Sequence, residues 1–368
     1  MVNKMQSAYK TYTVLLLSAP IGFGHRLAAE ALEQVLSQNP HIKVVNANVF
    51  HFFPQFLGNL FLSMYLMILK YCPCIYELVY KWSNKQGGSL LLRALLNGVL
   101  AFLGRSYLNK IKPDAVIATH ATPAGIISHY KKKEPSLWLG AVITDYTIHR
   151  WWECEGIDTY FLADALLCPK IVQPTEVVAS GIPIRKQFIG LNKSVCRSSF
   201  GWKIGDKICL LMGGGEGLLP MEGIIETLQL LPIENLRIIV ITGNNEKMAK
   251  KLRNKFTSGV EIYGFREDIP QLMTAADVLI TKAGGLTSAE ALVAGVKLLI
   301  YKPLPGQESG NASFLKKYCG AYVILDMQEM AETLTRIFQT PNILPVINNH
   351  AHPRAAEEIC TYVLKKLK

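Results

Sequence analysis

Charged residues are scarce in this chain. Asp, Glu, Lys and Arg make up 18% of its 368 residues, against 50% apolar. That balance excludes a disordered chain and supplies enough apolar surface for full-sized cores. Acids are scarcer than bases, 28 against 39, which leaves a net charge of +11. The eight cysteines (72, 74, 154, 168, 196, 209, 319 and 360) form no CxxC pair and no zinc spacing. The N-terminus lacks a basic region, short apolar core and small-residue cleavage site in sequence, so no signal peptide is expected. A reducing cytosolic compartment with free thiols fits both observations. There is no GxxxxGK[ST] loop, no GxSxG elbow and no kinase signature set. No Asp-x-Asp pair occurs, so no metal–diphosphate carboxylate pair is evident, and neither a metal nor another cofactor is expected. Nor is there a zinc finger or RNP-type motif, so a nucleic-acid partner is not expected.

The positive charge is unevenly placed. Residues 52–110 hold six basic side chains (Lys70, Lys81, Lys85, Arg93, Arg105, Lys110) and one acid, Glu77. The same segment is the most apolar of the chain, with Phe52, Phe53, Phe56, Leu57 and then a run from Leu60 to Leu69 broken only by Ser63. A mean hydropathy of +0.20 points the same way. Three readings fit. A spanning helix needs about 20 apolar residues, and Pro54, Gln55, Gly58 and Asn59 spoil the first half of the uncharged run. Buried helices with a solvated basic face are a second reading. Peripheral contact with an anionic bilayer, at the cytoplasmic face of the cell membrane, is the one adopted, because aromatics interleaved with Lys and Arg suit that interface.

Elsewhere one unit recurs: a strand apolar throughout, a glycine turn, then a helix. Residues 12–18 are a buried strand, Gly22 and Gly24 the turn, and 27–36 the helix. Strands follow at 43–49, 115–119 and 138–144. The pattern restarts after Gly181-Ile182-Pro183-Ile184, with strands at 208–212, 237–242, 260–263, 278–281 and 298–301 and helices between them. Such runs predict parallel sheets covered on both faces. The expected fold is therefore α/β, with two doubly wound Rossmann-like domains facing a cleft. Residues 1–184 form the first and 185–345 the second, while 346–368 form a helix that packs back across the join.

Open α/β sheets bind ligands at the carboxyl ends of their strands, where glycine admits a close ligand and the next helix offers free N–H groups to phosphate. Three loops qualify: Ile21-Gly22-Phe23-Gly24-His25, Gly213-Gly214-Gly215-Glu216-Gly217 and Ala283-Gly284-Gly285-Leu286-Thr287. Two lie in the second half, which favours a nucleotide diphosphate there. His25 stands at a helix start, and an imidazole near pKa 6.5 suits a general base; a helix-end histidine bonding the backbone is the plain alternative.

At these loops the chain resembles the monogalactosyldiacylglycerol synthase and processive diacylglycerol glucosyltransferase family. The likeness is carried in order by Ser18–Leu32, Thr144–Trp151, Gly181–Phe188, Leu211–Gly217, Thr281–Ala291 and Pro305–Asn311. The N-acetylglucosaminyl transferase of peptidoglycan lipid intermediates is a more distant relative. The family usually has a run of glycines in the first loop; here Ile21 and Phe23 stand within it, which bears on the acceptor pocket.

The resemblance implies a GT-B fold and metal-independent, inverting transfer of a hexose from UDP-glucose or UDP-galactose to the hydroxyl of diacylglycerol. It makes His25 the base, and Asp145 its orienter or an acceptor ligand. Gly24, His120 and His149 line the acceptor side. Gly214, Gly215, Gly284, Gly285, Leu286 and Thr287 bring backbone N–H groups to the diphosphate. Phe265 faces uracil through its amide, Glu290 holds the ribose hydroxyls, and Gln307, Glu308 and Asn311 recognise the sugar. A different acceptor on the same fold, or a UDP-sugar-binding protein without transfer, remains open at this point.

Overall fold

The computed structural model describes residues 10–19, 22–52, 63, 67, 73–84, 88–170, 175–213, 219–340 and 348–368. Gly214 and Gly215 of the second glycine loop, Ile21 of the first, and nearly all of the apolar run from Phe53 to Leu69 lie outside them.

The described chain contains two six-stranded sheets, parallel throughout. The first is built from β1 (Tyr12–Ser18), β2 (Ile42–Asn48), β3 (Ala115–Ala118), β4 (Trp138–Val142), β5 (Thr159–Phe161) and β6 (Glu176–Val178), in the order β2-β1-β3-β4-β5-β6. The second comprises β7 (Lys207–Met212), β8 (Leu236–Ile241), β9 (Val260–Tyr263), β10 (Val278–Thr281), β11 (Lys297–Tyr301) and β12 (Tyr322–Ile324), in the order β12-β11-β10-β7-β8-β9. The central strands are buried along their length, as continuous apolar runs in a parallel sheet require. The direction of winding reverses between β1 and β3 in one sheet and between β7 and β10 in the other. Crevices at the carboxyl ends of the strands open at these reversals.

The helices that matter to the cleft are α1 (Phe23–Leu36) after β1, α2 (Pro73–Ser83) and α3 (Gly88–Ile111) in the first-lobe excursion, and α4 (Ala121–Lys131) after β3. In the second lobe α5 (Lys193–Ser199), α6 (Met221–Gln229), α7 (Glu246–Lys255), α8 (Ile269–Ala275), α9 (Gly285–Ala294), α10 (Gln307–Tyr318) and α11 (Met327–Gln339) cover the sheet. Three helices begin earlier than their apolar periodicity suggests: α1 at Phe23, α9 at Gly285 and α10 at Gln307. Glycine and polar residues in the first turn hide the period. Gln307 and Glu308 are therefore first-turn helix residues, not loop residues.

The last helix, α12 (Ala355–Leu367), packs on the first lobe. Its Ala356, Ile359, Cys360 and Val363 share a core with Val14, Leu16, Leu32, Ile117 and Phe161. Tyr362 meets Phe161 edge to face at 5.4 Å, and Lys366 pairs with Glu176 at 2.9 Å.

Candidate active site

His25 is the third residue of α1, just past Gly22, whose φ of +78° turns the chain from β1 into the helix. Its Nδ1 lies 2.8 Å from the Thr119 carbonyl and 2.8 Å from Thr144 Oγ1. A carbonyl can only accept, so Nδ1 carries the hydrogen and Nε2 keeps its lone pair. Thr119 Oγ1 donates in return to the His25 carbonyl at 3.0 Å. The ring is thus fixed by the ends of β3 and β4 at the winding reversal of the first sheet. Burial pushes its pKa down, against the pull of the nearby Asp145 charge and the Thr119 bond. A neutral imidazole held by one nitrogen is a base with its other nitrogen available.

His120 caps α4: its Nδ1 accepts from Thr122 N at 3.1 Å. Its ring stands edge-on to His25 at 4.7 Å, and burial holds its pKa well below the usual histidine value. His149 lies seven residues beyond β4. Its Nδ1 accepts from Trp151 N at 3.1 Å, so Nε2 carries the hydrogen and meets Ser83 Oγ at 3.1 Å. His120 forms one wall of the His25 pocket, whereas His149 belongs to the contact with α2.

Asp145 is buried and reaches across the cleft. It accepts from Gln307 Nε2, and from Asn311 Nδ2 at 2.9 Å. Burial raises its pKa; the His25 charge and these two amide donors oppose the rise. The hydrogen bonds that orient His25 come from Thr119 and Thr144, so Asp145 acts on the ring through charge and ties the lobes together. Asn311 also donates to the Ala283 carbonyl at 3.0 Å and accepts from Tyr146 N at 2.8 Å. With both amide hydrogens and its oxygen engaged, and only 1% of it exposed, Asn311 links the two lobes in this structure.

The helix starts of the two lobes meet in the cleft. A Cβ on Gly24 would stand 3.5 Å from Leu286 Cβ, and one on Gly285 would fall 2.0 Å from the Thr144 carbonyl oxygen. Gly285 is thus required for the lobes to approach, beyond anything a phosphate demands. Gly284 is the residue before α9, and a Cβ there would meet Thr287 Oγ1 only at 4.0 Å. Leu286 is buried, leaving only its backbone for a ligand. Both helix N-termini carry partial positive charge, which favours an anion between them.

Glu290 is not a solvated helix residue. It is 3% exposed, and its Oε1 takes both Nε and Nη2 of Arg185 at 2.9 Å. Burial raises its pKa and Arg185 opposes that. Glu308 accepts from Leu304 N at 3.2 Å and pairs with Lys282 Nζ at 3.1 Å. Phe265 follows β9, three strands from β10, and is 64% exposed; it is not a core phenylalanine.

Sequence reasoning missed Thr119, Thr144, Arg185 and Lys282. Thr144, Arg185 and Lys282 sit in the motif stretches that carried the resemblance; Thr119 does not, and contacts to a backbone carbonyl leave no mark in a sequence.

Two parallel α/β lobes facing a cleft, with a buried imidazole at one winding reversal and a glycine-led helix at the other, have the architecture of the GT-B fold. The Monogalactosyldiacylglycerol (MGDG) synthase family model matches residues 25–184, and the Glycosyltransferase family 28 C-terminal domain matches residues 208–354. The processive diacylglycerol beta-glucosyltransferase of Bacillus cereus (strain G9842) is 30% identical over 336 residues, covering 87% of this chain and 84% of that protein. Its counterpart in Bacillus pumilus (strain SAFR-032) is 28% identical, covering 89% of this chain and 86% of that one. Among solved structures, Acinetobacter baumannii MurG superposes with a TM-score of 0.60 at 18% identity, covering 96% of this chain and 99% of MurG. S. aureus MnaA with UDP gives 0.62 at 12% identity, covering 97% of each chain. These two share the fold. The chain belongs to the family of monogalactosyldiacylglycerol synthases and processive diacylglycerol glucosyltransferases, and it is a UDP-sugar glycosyltransferase.

Proposed function

We propose that this enzyme sits on the cytoplasmic face of an anionic membrane and transfers a hexose, with inversion, from a UDP-sugar to the free hydroxyl of diacylglycerol. The observation that carries the reading is the fixed tautomer of His25. As the acceptor oxygen bonds to C1 of the sugar, its proton passes to His25 Nε2. The C1–O bond to the phosphate breaks on the opposite face, and its electron pair leaves with UDP. The start of α9 stabilises the charge that grows on that phosphate. The names of the Bacillus relatives support diacylglycerol as the acceptor and glucose as the first donor to try.

Bilayer contact is supported by the outer face of α2 and α3. Leu78, Val79, Trp82, Leu91, Leu95, Val99 and Phe102 are each 46–76% exposed. Ser89–Ile111 is long and apolar enough to cross a membrane. Its other side, however, is committed to the first lobe. Ala101 and Leu108 are buried there, and Asn97 lies so close to Gly125 that a Cβ on that glycine would fall 2.1 Å from its Nδ2. Such a helix lies in the interface rather than across it. Removing those seven side chains from water is worth on the order of 10 kcal/mol gross. Basic residues near an anionic surface add about 1 kcal/mol each.

The test is transfer of labelled hexose from UDP-glucose, and in parallel UDP-galactose, to diacylglycerol in phosphatidylglycerol vesicles, with the product anomer assigned by NMR. The expected product is the β-glycoside, from an α-linked donor. An α-glycoside would remove inversion, and no lipid product from either donor would remove the acceptor assignment.

A further inference from the structure

The helix that carries part of the exposed apolar face also touches the donor lobe. On α2, Leu78, Val79 and Trp82 point outward, while Tyr80 and Ser83, one turn apart, point inward. The Tyr80 ring lies flat against Gly306, the residue before α10. A Cβ on that glycine would sit 2.9 Å from Tyr80 Cγ and 3.0 Å from Cδ1, and its φ is +97°. Gln307 and Glu308 follow directly, and Gln307 is bonded to Asp145. On its other side Tyr80 contacts the His149 ring, with centroids 4.7 Å apart.

A chain of hydrogen bonds fixes this end of α2. Trp151 N donates to His149 Nδ1, His149 Nε2 donates to Ser83 Oγ, and Ser83 Oγ donates to the Tyr80 carbonyl at 2.9 Å. Arg150 N donates to Asn84 Oδ1 at 3.0 Å, and Arg93 of α3 donates to the Arg150 carbonyl at 3.0 Å. Residues 145–151 are therefore held by the donor lobe at one end and by the two apolar-faced helices at the other.

From this juxtaposition we infer that Tyr80 is a positioning residue for the sugar-recognition turn at 306–308, so that seating α2 on lipid and binding the UDP-sugar strengthen one another. The inference rests on the donor and bilayer readings above. A ring against a bare Cα fixes the start of α10 only while α2 keeps its place, and the outer face of α2 meets solvent until lipid covers it. Coupling of this kind is reciprocal: lipid must raise donor affinity by the factor by which donor raises lipid affinity.

Equilibrium dialysis of labelled UDP-glucose against the full chain, with and without phosphatidylglycerol vesicles lacking diacylglycerol, tests it. UDP-galactose is run in parallel, and vesicle flotation is measured with and without donor. Wild type is expected to bind one donor about 5-fold tighter or more on vesicles, with the same factor in flotation. Tyr80→Phe should keep that factor. Tyr80→Ala should lose it while floating with vesicles nearly as wild type does in the absence of donor. Trp82→Ala should weaken flotation yet bind donor normally at saturating lipid, a pattern that a general folding defect would not give. Equal donor affinity with and without vesicles overturns the coupling and leaves the donor reading intact, as does a Tyr80→Ala variant with the wild-type factor. Failure of wild type to bind either donor overturns the donor reading and the coupling together.

Discussion

The two lobes are built from the same six-stranded parallel sheet, yet their outer helices meet different surroundings. In the second lobe two of the four lysines of α7 are matched to acids on α6: Lys251 pairs with Glu222, and Lys255 with both Glu222 and Glu226. Its exposed large apolar side chains, such as Ile204, Leu230 and Leu325, come from separate stretches of the chain, which is ordinary for a protein surface. In the first lobe the bases of 52–110 outnumber the acids six to one, and Leu91, Leu95, Val99 and Phe102 form a continuous stripe on α3. One fold thus carries an exposed apolar stripe on its first lobe, which fits the proposed bilayer contact. The imidazole sits in that lobe, where a greasy alcohol would arrive, and the anion-favouring helix start sits in the other.

That contrast can be broken most directly at the stripe. Leu95→Asp together with Phe102→Asp should weaken binding to phosphatidylglycerol vesicles about 100-fold or more, since each places a carboxylate where a side chain would enter the acyl boundary. Ile204→Asp with Leu230→Asp, the matching pair on the second lobe, should leave flotation unchanged. If both pairs weaken it equally, the lobes do not differ in this way. A smaller effect is expected inside the cleft. Thr144→Val removes one partner of His25 Nδ1 and leaves the Thr119 carbonyl, so turnover should fall about 5- to 10-fold with UDP affinity unchanged; no change in turnover would remove Thr144 as an orienter.

The smallest effect concerns acid stability. Burial depresses the folded-state pKa of both His25 and His120 below 6.5. Between the folded and unfolded pKa values the unfolded chain binds more protons, so stability rises with pH through that window and falls as pH drops below about 6.5. Urea melts of wild type between pH 7 and pH 5 should show the loss, and His120→Asn should flatten part of it. An unchanged slope in that variant would mean His120 is not among the groups responsible.

The central strands were readable because burial on both faces writes an unbroken apolar run. Three short strands, β5, β6 and β12, were not: three residues carry too little pattern to register. The starts of α9 and α10 look like loops in sequence because Gly285 and Gln307 break the helical period. The segment 52–110 stood out by charge and aromatics, but the exposed face in the described structure runs from Leu78 to Leu103, whereas most of the Phe53–Leu69 run lies outside the described residues. His25, Asp145, Gln307 and Asn311, all singled out in the sequence, come together in the cleft. The jobs of Asn311 and Gly285 could not be foreseen, because both depend on how closely two separate lobes approach.

The proposed transfer turns on His25 as the base, and replacing it is the most direct measurement. In His25→Ala, turnover with UDP-sugar and diacylglycerol in vesicles should fall by about 10²- to 10⁴-fold, while UDP affinity by equilibrium dialysis stays at the wild-type value. Turnover within a few-fold of wild type in that variant would contradict the account.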